Sequence, residues 1–121
     1  MWSGCCICIK KELELTKVWL DDERVPEDGW VWTHTADETI NLLRTGEVTE
    51  LSLDYNLGRD ERSGTGNDVL IWIELQMATT DFVPPSVIQV HTGNSSARVM
   101  MEQAIKQIRK LAERNRNNGP A

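Results

Sequence analysis

The feature that most constrains the fold is an apolar run that stops abruptly at two adjacent carboxylates, Lys17-Val18-Trp19-Leu20-Asp21-Asp22-Glu23-Arg24. Two like charges at the end of a buried strand repel each other, so a cation, a phosphate-bearing ligand or catalysis nearby best accounts for them. The pattern recurs. Glu50-Leu51-Ser52-Leu53 alternates and ends at Asp54, and Val87-Ile88-Gln89-Val90 ends at His91. Strands near 16–21, 30–33, 50–54 and 87–91 are expected on this basis, the second from the aromatic and β-branched run Trp30-Val31-Trp32-Thr33.

Helical signals separate these runs. Thr35-Ala36-Asp37-Glu38 has the pattern of a capping box, in which hydroxyl and carboxylate each satisfy a free backbone N–H. Ile40, Leu42 and Leu43 give that helix its apolar face, and Gly46 closes it. From Gly58 to Asp68 the chain turns polar and glycine-bearing, which predicts a mobile loop beside the site; Gly64-Thr65-Gly66 alone is weak evidence of a phosphate cradle. Val69 to Met77 is apolar on nearly every side. Its length favours a helix of about 12 residues over a buried strand, capped by Thr65 or Asn67. A last helix carries Met101, Ala104, Ile105, Ile108 and Leu111 at helical spacing, with charges opposite.

Alternating strands and helices predict an α/β domain with a mostly parallel sheet. Between the first two strands lies a loop of about eight residues, marked by Pro26 and Asp28-Gly29, too short for an ordinary crossover helix. Those strands either pair antiparallel or cross in parallel through a minimal turn. The expected boundaries are an extension at 1–12, one domain at 13–114 and a polar tail at 115–121.

Composition narrows the partners. A formal charge of −6 disfavours non-specific binding to duplex DNA, which depends on neutralising phosphates. Arg98, Lys106, Arg109, Lys110, Arg114 and Arg116 crowd the last quarter, as a solvated helix face or as a short RNA contact. Cys5, Cys6 and Cys8 have no second knuckle to complete a zinc site, and an odd count without a disulfide framework suits the cytoplasm. Residues 1–9 are too short for a membrane span and too poor in basic residues for a signal peptide.

In an open parallel sheet, ligands bind beyond the carboxyl ends of the strands. Asp21, Asp22, Asp54 and His91 occupy those ends. Three carboxylates in one crevice suit a hard divalent cation such as Mg²⁺, unless one only caps locally. His91 can give or accept a proton near neutral pH, and Thr92, Gly93, Asn94 and Ser95 lead from it into a helix N-terminus that attracts anions. Arg24 is a second candidate for a phosphate oxygen, whereas His34 precedes a helix cap and reads as structural. The tryptophans read first as packing and only second as base-stacking platforms.

Four segments now resemble a known family. Trp19-Leu20-Asp21-Asp22-Glu23-Arg24, Leu51-Ser52-Leu53-Asp54-Tyr55-Asn56-Leu57-Gly58, Gly66-Asn67-Asp68-Val69 and Val90-His91-Thr92-Gly93-Asn94 are similar to successive motifs of cyclic-phosphate processing receiver domains, over about residues 17–112. The resemblance implies a three-layer receiver-like (flavodoxin-like) domain of about four strands, its first crossover helix shortened and its fifth strand absent. An ordinary receiver carries a phosphoryl-binding lysine on that fifth strand, and the family has His-Asp where this chain has Tyr55-Asn56. It further implies a phosphoesterase or binding domain for 2′,3′-cyclic RNA ends or cyclic nucleotides. Asp21, Asp22 and Asp54 would then hold Mg²⁺ or Mn²⁺, Asp54 and His91 would be catalytic, and Arg24, Thr92, Asn94 and Ser95 would bind substrate. The alternatives are a non-catalytic nucleotide- or protein-binding module and, less in keeping with the missing lysine, a receiver phosphorylated on Asp54.

Overall fold

The computed structural model describes residues 16–57 and 63–117, with side chains as far as Asn115. The N-terminal extension with its cysteines, the start of the polar loop at 58–62 and residues 118–121 lie outside the described residues. The elements in order are β1 (Thr16–Leu20), β2 (Trp30–Thr33), α1 (Ala36–Leu43), β3 (Val48–Leu53), α2 (Gly66–Thr79), β4 (Val87–Val90) and α3 (Ser95–Asn117). They form an α/β receiver-like fold around one four-stranded parallel sheet of order β2-β1-β3-β4. Helix α3 continues through Asn117, past the domain boundary expected at residue 114.

The choice between antiparallel and parallel pairing of the first two strands falls to parallel, with Lys17 opposite Trp30 and Leu20 opposite Thr33. The nine residues 21–29 make this crossover without any helix. Their backbone is turned by local bonds instead. Asp21 Oδ1 accepts the N–H groups of Glu23 and Arg24, at 2.8 and 2.9 Å. Gly29, at φ +97°, adopts the left-handed conformation that glycine enters without a Cβ penalty, and this brings the chain into β2.

Both anticipated helix starts carry complete capping boxes. Thr35 and Glu38 exchange side-chain and backbone bonds at the head of α1, and Thr65 and Asp68 do the same at the head of α2. Thr65, not Asn67, is thus the cap of the second helix, which is 14 residues long. Its apolar character all round exceeds what packing uses, since Val69, Leu70, Ile73 and Met77 are buried whereas Ile71 and Leu75 are exposed. It packs against both α1 and α3 while its inner side faces the sheet.

Alternate strand residues sort the two faces of the sheet. Val18, Leu20, Leu51, Leu53 and Ile88 belong to one buried cluster with Leu43, Val69, Leu70, Ile73, Met101, Ile105 and Ile108 from the three helices. Each buried aliphatic side chain contributes about 1.5–3 kcal/mol relative to an exposed one, so this cluster is the main source of stability. The opposite face carries Lys17, Trp19, Trp30, Trp32, Glu50, Ser52, Val87 and Gln89. All three described helices lie on the first face, because the helix that would cover the second is the one missing from 21–29. The described residues therefore supply two of the three layers expected. Trp19 meets Trp30 edge-on at 5.9 Å on the helix-free face, and Lys17 caps Trp30 while pairing with Glu50.

Arg98, Lys106, Arg109, Lys110 and Arg114 are exposed along α3. Among the described residues, no helix is long and apolar enough to cross a membrane.

Candidate functional site

Backbone register builds the site before any side chain is considered. Leu20 pairs with Leu53, and Leu53 with Val90. The ladder then runs one rung past the strand ends. Asp54 donates its N–H to the carbonyl of Leu20 at 3.0 Å, His91 to that of Leu53 at 2.9 Å, and Asp21 to that of Thr33 at 3.1 Å. Asp21, Asp54 and His91 therefore stand side by side at the carboxyl edge of the sheet. Alternation turns all three side chains toward the helix-free face. One ligand atom from each lies within 4.8 Å of the others.

Each side chain is held differently. Asp21 is buried, its Oδ1 occupied by the two loop N–H groups and its Oδ2 lying 3.0 Å from His91 Nε2. Burial alone would raise its pKa. The backbone bonds from Arg24 and Glu23, with His91, outweigh burial and hold the carboxyl below its usual value. Asp54 is half-buried and accepts the N–H of Tyr55 at 2.7 Å. His91 is engaged at both nitrogens, with Nδ1 2.7 Å from Ser52 Oγ. Its ring lies flat against the indole of Trp19, 3.9 Å away and inclined by 6°. Burial lowers the His91 pKa and dominates the opposing pull of Asp21 and Asp54.

The remaining candidates surround this trio. Asp22 is half-buried and not one of the converging donors, whose third member is His91. Arg24 is exposed and donates from Nη1 to the carbonyl of His91 at 3.1 Å, tying the first loop to the end of β4. Thr92 is buried, its hydroxyl accepting the N–H of Asn94 at 3.2 Å. Asn94 caps α3, its side-chain oxygen accepting the N–H of Ala97 at 3.0 Å and its carbonyl that of Arg98 at 2.9 Å. Both side chains thus shape the turn, and the anion-attracting groups here are the first N–H groups of α3, which begins at the exposed Ser95. His34 lies against Trp32, ring centroids 4.6 Å apart and tilted by 33°, and borders Glu38, beside the α1 cap.

Sequence reasoning missed two participants, Ser52 and Trp19, as partners of His91. The signal was present in the register. Both lie on the helix-free face, paired across β1 and β3, two rungs below the acidic edge.

Two carboxylates and an imidazole at this separation could hold a divalent cation, since one potential ligand atom of each faces a common centre. A family model described as the cyclic-phosphate processing receiver domain matches residues 16–107. No curated protein and no solved structure gives a match to the chain.

Proposed function

The chain belongs to the cyclic-phosphate processing receiver family, and on that premise we propose that it is a metal-assisted phosphoesterase acting on a cyclic phosphate, either a 2′,3′-cyclic RNA end or a cyclic nucleotide. The observation that carries this reading is the convergence of Asp21, Asp54 and His91 at one sheet edge. Asp21 and Asp54, with Asp22 beside them, would hold Mg²⁺ or Mn²⁺. When bound, such a cation neutralises phosphoryl charge and makes phosphorus more electrophilic.

The chain's own residues do the rest. His91 presents Nε2 to the acidic pocket and protonates the leaving ribose oxygen. Arg24, tied to the His91 carbonyl and with donors beyond that bond, would bind a phosphate oxygen. The turn from Thr92 through Asn94 to Ser95, which follows directly on His91, would offer the N-terminus of α3 to the same charge.

Incubation with 2′,3′-cyclic AMP and Mg²⁺ or Mn²⁺ is the direct test. Turnover that is lost in Asp54→Ala and in His91→Ala is the expected result. No turnover by the wild type, or equal turnover by both variants, overturns the hydrolase. The second reading, a non-catalytic binder, is favoured by one observation: both nitrogens of His91 are already hydrogen-bonded. It predicts stoichiometric binding with the nucleotide recovered intact. A signalling receiver predicts instead that a small phosphodonor labels Asp54.

A further inference from the structure

His91 is gripped from two sides, and the valence of its partners determines where its proton sits. Asp21 is held as a carboxylate by the two N–H groups on its other oxygen, and a carboxylate only accepts. The hydrogen in the 3.0 Å contact between Asp21 Oδ2 and His91 therefore belongs to Nε2. In the neutral ring Nδ1 is then a lone pair. The Ser52 hydroxyl, 2.7 Å away, must be the donor to it.

Ser52 is 1% exposed in the middle of the sheet, so it is not placed to attack a substrate. We propose that the Asp21 carboxylate sets His91 as the Nε2–H tautomer and that Ser52, donating to the free Nδ1, is a positioning residue that supports it, so that His91 meets the acidic pocket as a hydrogen-bond donor and not as a metal ligand. Trp19 completes the lock, because the flat stack holds the imidazole plane while Ser52 and Asp21 fix its rotation within that plane.

The consequence is chemical. A ring nitrogen that carries hydrogen has no lone pair for a cation. Any cation at this edge is left with carboxylate oxygens, a set that suits hard ions. An oxygen arriving on a substrate meets a donor. For His91 to become a ligand through Nε2, its proton must move to Nδ1 and the Ser52 hydroxyl must turn from donor to acceptor. The Asp21 carboxylate, with Ser52 as donor on the other side, thereby separates the two roles open to the histidine.

This inference rests on the proposed function for the identity of the incoming oxygen, but its test reads the imidazole and not turnover. The chain has two histidines, so long-range ¹H–¹⁵N correlation spectra can be assigned with a His34→Gln variant. At about pH 7.5, above the ordinary histidine value, the wild type should show His91 as a single Nε2–H tautomer. Saturating Mg²⁺ should leave that pattern in place. Asp21→Asn, whose amide can turn an N–H toward Nε2 while its oxygen accepts the two loop N–H groups, should shift the ring to the Nδ1–H tautomer. Ser52→Ala, in which Asp21 still accepts from Nε2, should keep Nε2–H but move the Nδ1 shift toward that of an unbonded nitrogen, and Ser52→Thr, which keeps the hydroxyl, should restore it.

An Nδ1–H tautomer in the wild type overturns the proposal, as does loss of the Nε2 proton on adding Mg²⁺. Retention of Nε2–H in Asp21→Asn also overturns it, and a Ser52→Ala spectrum with an unmoved Nδ1 shift removes Ser52 from the role. Should Ser52→Ala fail to fold, Ser52→Cys carries the same test, because its weaker thiol donor should move the Nδ1 shift part of the way, and an unmoved shift refutes. A protein without turnover on cyclic phosphates that still shows the Nε2–H tautomer sinks the phosphoesterase and leaves this inference standing.

Discussion

Replacing Gly66 with alanine probes the closest approach between a helix and the acidic edge. Gly66 is the first residue of α2, buried, and donates its N–H to the carbonyl of Tyr55. A Cβ at this position would overlap the carbonyl oxygen of Asp54 and come within 2.8 Å of Met101 Cε. The methionine end is flexible and can swing aside. The Asp54 carbonyl cannot, because that residue is already pinned by its own N–H to Leu20. Either α2 lifts at its start or Asp54 leaves its rung. Overpacking costs about 1–3 kcal/mol, and a backbone obstacle places this case at the top of that range. Alanine's better helix propensity returns at most about 1 kcal/mol, so the steric effect wins. A loss of about 2–3 kcal/mol lowers the thermal midpoint of a domain this size by on the order of 10–20 °C. Gly93→Ala is the matched control. Its Cβ meets nothing within 4 Å, and Gly93 is not among the glycines at positive φ, so its change should stay within about 0.5 kcal/mol. Urea and thermal unfolding followed by tryptophan fluorescence and circular dichroism measure both. If Gly66→Ala unfolds at the same midpoint as Gly93→Ala, the steric argument is wrong.

Acidification should destabilise the domain in two steps. Asp21 and His91 both titrate below their ordinary values of 3.8 and 6.5 in the fold. The folded state therefore binds fewer protons in each window, and stability rises with pH there. The contribution of His91 is complete above 6.5 and fades as pH falls through its lower folded value, while that of Asp21 does the same below 3.8. Midpoints of chemical unfolding against pH should show both, and Asp21→Asn should erase the lower step; an unchanged acid limb in that variant refutes the assignment. Thr65→Ala removes the acceptor for the Asp68 N–H and should cost about 1 kcal/mol by urea titration, with Thr65→Ser near wild type. Mg²⁺ or Mn²⁺ at about 100 times its Kd should stabilise the wild type by roughly 2.7 kcal/mol. Scanning calorimetry should find no such gain in Asp54→Asn, and an equal gain would exclude Asp54 as a ligand.

What could be read in the sequence was what depends on neighbours along the chain. The capping boxes at Thr35 and Thr65 are four-residue patterns, and the stops at Asp21, Asp54 and His91 are ends of local apolar runs. The loop at 21–29 was visibly short, but whether it returned the chain antiparallel or parallel depended on the Asx-type turn at Asp21 and on Gly29. Contacts across the sheet were beyond reach for a different reason. Ser52 and Asp21 lie 39 and 70 positions from His91, and they meet only because strand order places β3 between β1 and β4. Alternation puts Ser52 and Trp19 on particular faces, yet no local pattern says which strands are neighbours. Asn94 shows the converse. As an amide in a turn it served equally as ligand or cap, and only the bond to Ala97 decides for the cap.

The extra rung beyond the strand ends has a consequence for how such a site can change. The positions of Asp21, Asp54 and His91 are set by main-chain bonds to Thr33, Leu20 and Leu53, which any residue except proline can make. The side chains are thus plugged into a socket wired by the backbone. Different chemistry can be inserted at those three points without rewiring the sheet, so the frame can outlast a change of reaction.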